Sequence, residues 1–229
     1  MIRFSLCHAS ARLPYGWRKA AQSWLKTCDC PEEVQHVLAI DEHLFLTHTL
    51  VFPHSTVRCV VPSRGSTHQY NEAAALAEGA ILIQIADDLF PCPHWDSLIL
   101  NALPLDYASS PYVLSQDNSD NSDLITHAIM TRPYYERFGY IGHPDYKHLM
   151  EDVEFTDVAN ASGCVIQAKQ IRFRHLNPEA GTAEWDEVYR RQRTPELLKW
   201  AQALYERRKV AGFPQYSMLT AEEREAVAC

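Results

Sequence analysis

The stretch "ILIQIADDLFPCPHW", residues 81–95, runs almost unbroken in apolar residues from Ile81 to Ala86 and then stops at two adjacent carboxylates, Asp87 and Asp88. A Pro-rich turn and Trp95 follow. Continuous hydrophobicity over so few residues suits a strand covered on both faces, as in a parallel sheet. In open α/β sheets, ligands bind beyond the carboxyl ends of the strands. The acid pair therefore falls where ligand chemistry is expected. Adjacent carboxylates repel unless something positive lies near them. A divalent cation is one answer, since Mg²⁺ and Mn²⁺ take one or two carboxylates plus substrate phosphates. The other reading is that the pair caps the following turn, and the pattern leaves both open.

Upstream, the same α/β rhythm repeats. "IRFSLCH" (2–8) reads as a first strand, and Trp17, Ala20, Ala21, Trp24, Leu25 and Cys28 recur at helical spacing over 16–28. "VQHVLAID" (34–41) is a second strand ending in Asp41, and "TVRCVVP" (56–62) a third that leads to Arg64. Tyr70, Ala73, Ala74 and Ala77 mark a second helix, with Gly79 as its expected C-terminal stop. The first ninety residues thus read as a nucleotide-binding α/β half.

Downstream, the polar run "SQDNSDNSD" (115–123) reads as a loop. "MEDVEFTDVANASG" suggests an acid-rich helix, for which a wet surface face is the plain alternative. "CVIQAKQIRFRH" suggests one or two strands. Thr194–Pro195 starts a helix whose buried stripe is Leu197, Leu198, Ala201, Leu204 and Tyr205. Thr220 and Glu223 form a capping-box pattern.

Bulk properties narrow the class. The chain has 229 residues, enough for one sizeable core, so we expect a single domain over 1–229. Its parts are a nucleotide-binding half (about 1–110), an acceptor-side half (about 111–180) and C-terminal helices (about 185–229). A net charge of −8 disfavours nonspecific adhesion to nucleic acid, without excluding a local basic groove. No 18-residue apolar run is present, and "MIRFSLCHASARLP" is too short in apolar length for a secretory signal. Seven cysteines with no CxxC motif, and one CxC at Cys28 and Cys30, read as reduced thiols in a cytoplasmic protein. Neither GxGxxG nor GxxxxGK[ST] occurs, which removes most dehydrogenases and P-loop NTPases.

Residues 65–88, "GSTHQYNEAAALAEGAILIQIADD", resemble the middle of a family 2, GT-A type glycosyltransferase. The elements of the resemblance are Asn71 near the start of a small-residue helix, Ala73, Ala77, Gly79, a buried strand, and Ala86-Asp87-Asp88 in place of a DxD motif. "LMEDVEF" (149–155) resembles that family's ED motif, and "FRHLNP" (173–178) supplies a late His. The set runs in the family's order over roughly 2–178. Ala86 stands where a DxD motif has its first acid, and "HASARLP" replaces the family's usual Pro-x-Tyr-Asn-like opening.

The resemblance implies an α/β fold of the GT-A type, with a mostly parallel central sheet flanked by helices. It also implies an inverting, metal-dependent transfer of sugar from a nucleoside-diphosphate sugar, UDP favoured, to an acceptor hydroxyl. Asp88 and His175 would hold Mn²⁺ or Mg²⁺. Ser10, Arg12, Asp41, Arg64, Asn71 and Asp87 would face the donor, with Asp87 near the ribose. Asp152 would be the base, and Glu151, Trp95 and Asp145 would lie on the acceptor side, with His94 and Trp95 walling the pocket. The acceptor stays open among a glycan, a small glycoside, a protein and a modified base of viral DNA. A metal-dependent phosphate-ester hydrolase and a non-catalytic sugar- or partner-binding domain are the competing classes.

Overall fold

The structure is a computed structural model and describes residues 1–12, 16–43, 56–62, 64–117 and 124–215. The strands are β1 (Phe4–Ser10), β2 (Val34–Asp41), β3 (Thr56–Val61), β4 (Ile81–Ala86), β5 (Leu89–Pro91), β6 (Val113–Asp117), β7 (Ile129–Thr131) and β8 (Val165–His175). The helices are α1 (Gly16–Thr27), α2 (Ser66–Ala75), α3 (Trp95–Ala102), α4 (Arg132–Phe138), α5 (Glu151–Ala161), α6 (Glu187–Gln192) and α7 (Pro195–Val210). The strands form one sheet in the order β3-β2-β1-β4-β7-β6-β8-β5. The first four are mutually parallel, with Phe4 in register with both Val34 and Ile81. β7 runs antiparallel to β4 and β6, and β8 pairs parallel with β6 and antiparallel with β5.

Strand alternation sorts the core onto two faces. Phe4, Leu6, Ile81, Ile83 and Ile85 pack on α1 and α3 through Trp24 and Trp95. Cys7, Ala9, Val37, Ala39 and Leu82 meet the alanines of α2 on the other face. Gly79 does not terminate α2, which ends at Ala75. It lies so close to β1 that a Cβ there would stand 2.7 Å from the Phe4 carbonyl carbon, and its N–H donates to Ser5 Oγ at 2.8 Å. Its role is close approach of two backbones.

Several expectations shift on contact with tertiary structure. β1 starts at Phe4, two residues later than its pattern suggested, which makes Ser10 its last residue. "CVIQAKQIRFRH" is one strand, 11 residues long. Leu198 leaves the buried stripe of α7, being 41% exposed, and Arg208 joins Ala201, Leu204 and Tyr205 inside. Thr194 caps α7 as expected, accepting from the Leu197 N–H. Residues 118–123 of the polar run and the Thr220/Glu223 capping pair lie outside the described residues.

Arg208 is 1% exposed and grips Glu154 of α5 with two hydrogen bonds, Nε to Oε2 at 2.8 Å and Nη2 to Oε1 at 2.7 Å. Tyr146 donates to the same carboxylate at 2.8 Å. This buried fork ties α7 to the helix that begins with Glu151 and Asp152. Among the described residues, no helix is long and apolar enough to cross a membrane.

Candidate active site

In the order β3-β2-β1-β4, the chain reverses direction across the sheet between β1 and β4. Such a switch point opens a crevice at the carboxyl ends of the two strands. Ser10 and Arg12 leave β1 there, and Asp87 and Asp88 leave β4. A cleft of about 260 Å³ opens over them, closed from the far side by Glu151 and Asp152 and by the α6 segment with Tyr189 and Arg193.

The two acids do different work. Asp87 is buried, and both of its oxygens are engaged. Oδ1 accepts from His8 Nε2 at 3.0 Å, while Oδ2 accepts from Ser10 Oγ at 3.1 Å and the Arg12 backbone N–H at 3.2 Å. Behind His8 the chain of bonds continues. His8 Nδ1 lies 3.0 Å from His36 Nε2, and His36 Nδ1 lies 3.2 Å from Thr56 Oγ1. Burial first, then the neighbouring His8, pushes the His36 imidazole well below its ordinary value, so it is neutral. A carboxylate only accepts, so His8 Nε2 donates to Asp87; where both imidazoles are neutral, His36 then donates to His8 and Thr56 to His36. The line runs across β3, β2 and β1 to the end of β4, and the ring of Trp17 stacks on His36. It fixes the Asp87 carboxylate and, through it, the backbone that aims Arg12.

Removing this anchor strands three donors. Asp87→Ala should destabilise the fold by about 3 kcal/mol in urea denaturation, since each buried donor left unpaired costs about 1–3 kcal/mol, partly offset by relaxation. A loss under about 1 kcal/mol would show that the carboxylate is not the anchor.

Asp88 faces the cleft. Arg12 Nη1 sits 2.9 Å from its Oδ2, and Tyr189 Oη donates to the same oxygen at 2.8 Å. His175 Nε2 lies 3.6 Å from Oδ1. Burial opposes the charge, but the bonds from His175, Arg12 and Tyr189 outweigh it and hold Asp88 well below the usual carboxylate range. Arg12 also bonds Asp186 at 2.7 Å. The guanidiniums of Arg12 and Arg193 both lie against the Tyr189 ring, 4.9 and 5.4 Å from its centroid. Two fixed cations thus face the cleft, Arg12 paired with Asp88 and Asp186 and Arg193 paired with Glu179.

Across the cleft, Glu151 and Asp152 are consecutive at the start of α5. Burial raises both carboxyls above their ordinary values, and the Asp152 charge pushes Glu151 further. The pair therefore holds protons more tightly than ordinary carboxyls do, Glu151 more so than Asp152. A half-buried carboxylate with a raised affinity for protons is suited to general-base work.

Of the residues singled out from sequence, Arg12, Asp87, Asp88, Glu151, Asp152 and His175 line this cleft. Ser10 lies just beneath it as a partner of Asp87. Asn71 does not reach it. Its Oδ1 accepts from the N–H groups of Ile141 and Gly142, and its Nδ2 donates to the Gly142 carbonyl, so the amide is spent on a turn. Trp95 is a core residue, fully buried between Phe4 and Trp24, with its N–H on the Trp24 carbonyl. His94 is exposed, bonded to Asp29, and is not part of the cleft lining. Asp41 ends β2 and accepts from the His43 N–H, outside the cleft lining. Arg64 and Asp145 line a neighbouring cavity instead. Tyr189, Arg193, His8, His36 and His148 are cleft or anchor residues that the sequence reading did not single out.

The residues present fit a divalent cation as a partial shell. Asp88 Oδ1 and His175 Nε2 converge at 3.6 Å, within the reach of two ligands on one ion, and Oδ2 is already taken by Arg12 and Tyr189. Among the described residues, no group of three or more His, Cys, Asp or Glu side chains forms a full cage. Substrate phosphates would have to complete the coordination.

No protein-family model and no curated protein sequence matches the chain. Solved structures do. S. aureus TarS 1-349 aligns with a TM-score of 0.56 at 16% identity, covering 97% of this chain and 77% of that one. Its complex with UDP-GlcNAc gives 0.57 at 13% identity, over 99% and 70% of the two chains. Its complex with UDP gives 0.55 at 14%, over 98% and 78%. Against a longer TarS structure, with a TM-score of 0.54 at 14% identity, the chain spans 42% of that length. At these identities the likeness shows the fold, a mixed α/β architecture of the GT-A type, as the sequence resemblance implied.

Proposed function

We propose that the chain is a glycosyltransferase that moves a sugar from a UDP-sugar to an acceptor hydroxyl with inversion, with the help of Mn²⁺ or Mg²⁺. The observation that carries this reading is the meeting, in one cleft, of Asp88, Arg12 and His175 with the half-buried carboxyls of Glu151 and Asp152 opposite. That TarS, which shares the fold, is found in complex with UDP and with UDP-GlcNAc supports a donor of this kind.

Each side chain then has a task. Arg12 and Arg193 neutralise the donor diphosphate, held in place against Tyr189. Tyr189 and Arg12 keep Asp88 ionised and oriented. Asp88 and His175 would hold the cation, which would supply positive charge for the leaving diphosphate. Asp152 accepts the proton of the acceptor hydroxyl as that oxygen attacks the anomeric carbon from the opposite side.

A thermal-shift panel of nucleoside diphosphates, each with Mn²⁺ and with chelator, tests this directly. UDP with Mn²⁺, at about 100 times its dissociation constant, should raise the melting temperature by roughly 5 °C or more, and chelation should remove most of that shift. Absence of a shift with every nucleotide would contradict the reading.

A further inference from the structure

A second cavity, of about 580 Å³, lies beside the cleft and meets it at His148 and Gln192, which line both. Its charge is unlike that of the rest of the molecule. The chain carries a net charge of −8, yet Arg64, Lys147 and Arg191 converge on this cavity with His68, against the single carboxylate of Asp145. That carboxylate lies 3.5 Å from His143 Nδ1, which accepts from the Asp145 N–H. Arg64 and Arg191 are exposed, and neither makes an ion pair with a described residue. Lys147 is held over the Trp200 ring at 5.0 Å. Like charges brought together without partners raise each other's energy, and an anion between them relieves that cost.

The wall is built rather than incidental. Gly65 has a φ of +107°, and a Cβ there would stand 2.0 Å from the Lys147 carbonyl oxygen, so only glycine allows this approach. The same carbonyl accepts from the Thr67 N–H, and Ser66 Oγ bonds His148 Nδ1 at 2.6 Å. Burial, then Arg193, pushes the His148 imidazole down to about 4. It therefore stands as a neutral partition between the two spaces, and its Nε2 has no hydrogen-bond partner among the described residues.

The cleft already holds two cations of its own for a donor diphosphate, Arg12 and Arg193. We propose that the second cavity is an acceptor subsite that takes a phosphate ester carried by the acceptor beside its reacting hydroxyl, a proposal that rests on the glycosyltransferase reading of the cleft. Guanidinium and ammonium groups converging from three segments suit a phosphate dianion better than a single carboxylate.

The test uses Lys147→Ala/Arg191→Ala, two exposed positions whose loss spares the core. Inorganic phosphate is titrated calorimetrically into wild type and variant with chelator present, and UDP with Mn²⁺ is titrated separately. The variant should bind phosphate at least about tenfold more weakly while its UDP affinity stays within about twofold. In a panel of hydroxyl compounds offered with and without a phosphate ester, transfer should favour the phosphorylated members, with KM raised about tenfold in the variant and kcat little changed. Unchanged phosphate affinity, a parallel loss of UDP affinity, or an unphosphorylated acceptor whose KM ignores the variant would each overturn the proposal. If wild type binds no nucleotide but the variant still loses phosphate, the anion site stands and the acceptor assignment falls with the glycosyltransferase reading.

Discussion

Asp152→Asn lowers sugar turnover by roughly 10²-fold or more and leaves donor affinity within about twofold of wild type. The amide keeps the shape of the carboxylate but cannot accept the acceptor's proton. Glu151→Gln is the contrasting variant. Burial first, then the Asp152 charge, raise the Glu151 carboxyl well above its ordinary value, so glutamine mimics the protonated form that this site favours. Its turnover should stay within about fivefold. The wild-type pH profile follows with its sign fixed. The base must be deprotonated and burial raises its pKa, so activity falls as pH drops through a value above the usual carboxylate range, near 4. Transfer by Asp152→Asn at the wild-type rate, measured by release of nucleoside diphosphate, would move the base elsewhere. Equal collapse of Glu151→Gln would make the two acids one unit.

Arg208→Ala should cost about 3–5 kcal/mol of stability in urea denaturation. The substitution leaves the Glu154 carboxylate buried with only Tyr146 beside it. The charge needs its partner far more than the fold needs the pair. Replacing both Arg208 and Glu154 by leucine should therefore cost less than either single truncation. Since α5 carries the acid pair at its first turn, loosening α7 from α5 should also lower turnover at temperatures where the protein is still folded. A loss below about 1 kcal/mol in Arg208→Ala would show that α7 is pinned by other contacts.

The parts of this molecule that sequence revealed are those with a periodic cause. The apolar run of β4 and the alanines of α2 announce a covered strand and a closely packed helix, and the acids at the end of β4 announce its ligand edge. Thr194–Pro195 announces α7. What stayed hidden was made by tertiary contact. Tyr189 meets Asp88 across 101 positions of sequence, from a six-residue helix with no marked pattern. His8 and His36 did leave a trace: each sits in a strand at a position where the alternation calls for an inward apolar residue, beside Leu6 and Leu38. Two buried imidazoles on adjacent parallel strands are a hydrogen-bonded line waiting for an acceptor, and Asp87 is that acceptor. Trp95 and Asn71 misled for the opposite reason. Their residue types suit a pocket, but the chain turns one into the core and spends the other on the backbone of 141–142. Arg64 was legible as a cation near phosphates, but its cavity is the neighbouring one.

The claim on which everything else rests is that Asp88, supported by Arg12, Tyr189 and His175, forms the metal-assisted donor site. Calorimetric titration of UDP into wild type and Asp88→Asn, each with Mn²⁺ and with chelator, tests it most directly. Wild type should bind UDP at least about tenfold more tightly with Mn²⁺ than with chelator, and Asp88→Asn should lose that difference. Equal Mn²⁺-dependent affinity in the two proteins, or no UDP binding by wild type with Mn²⁺, would contradict it.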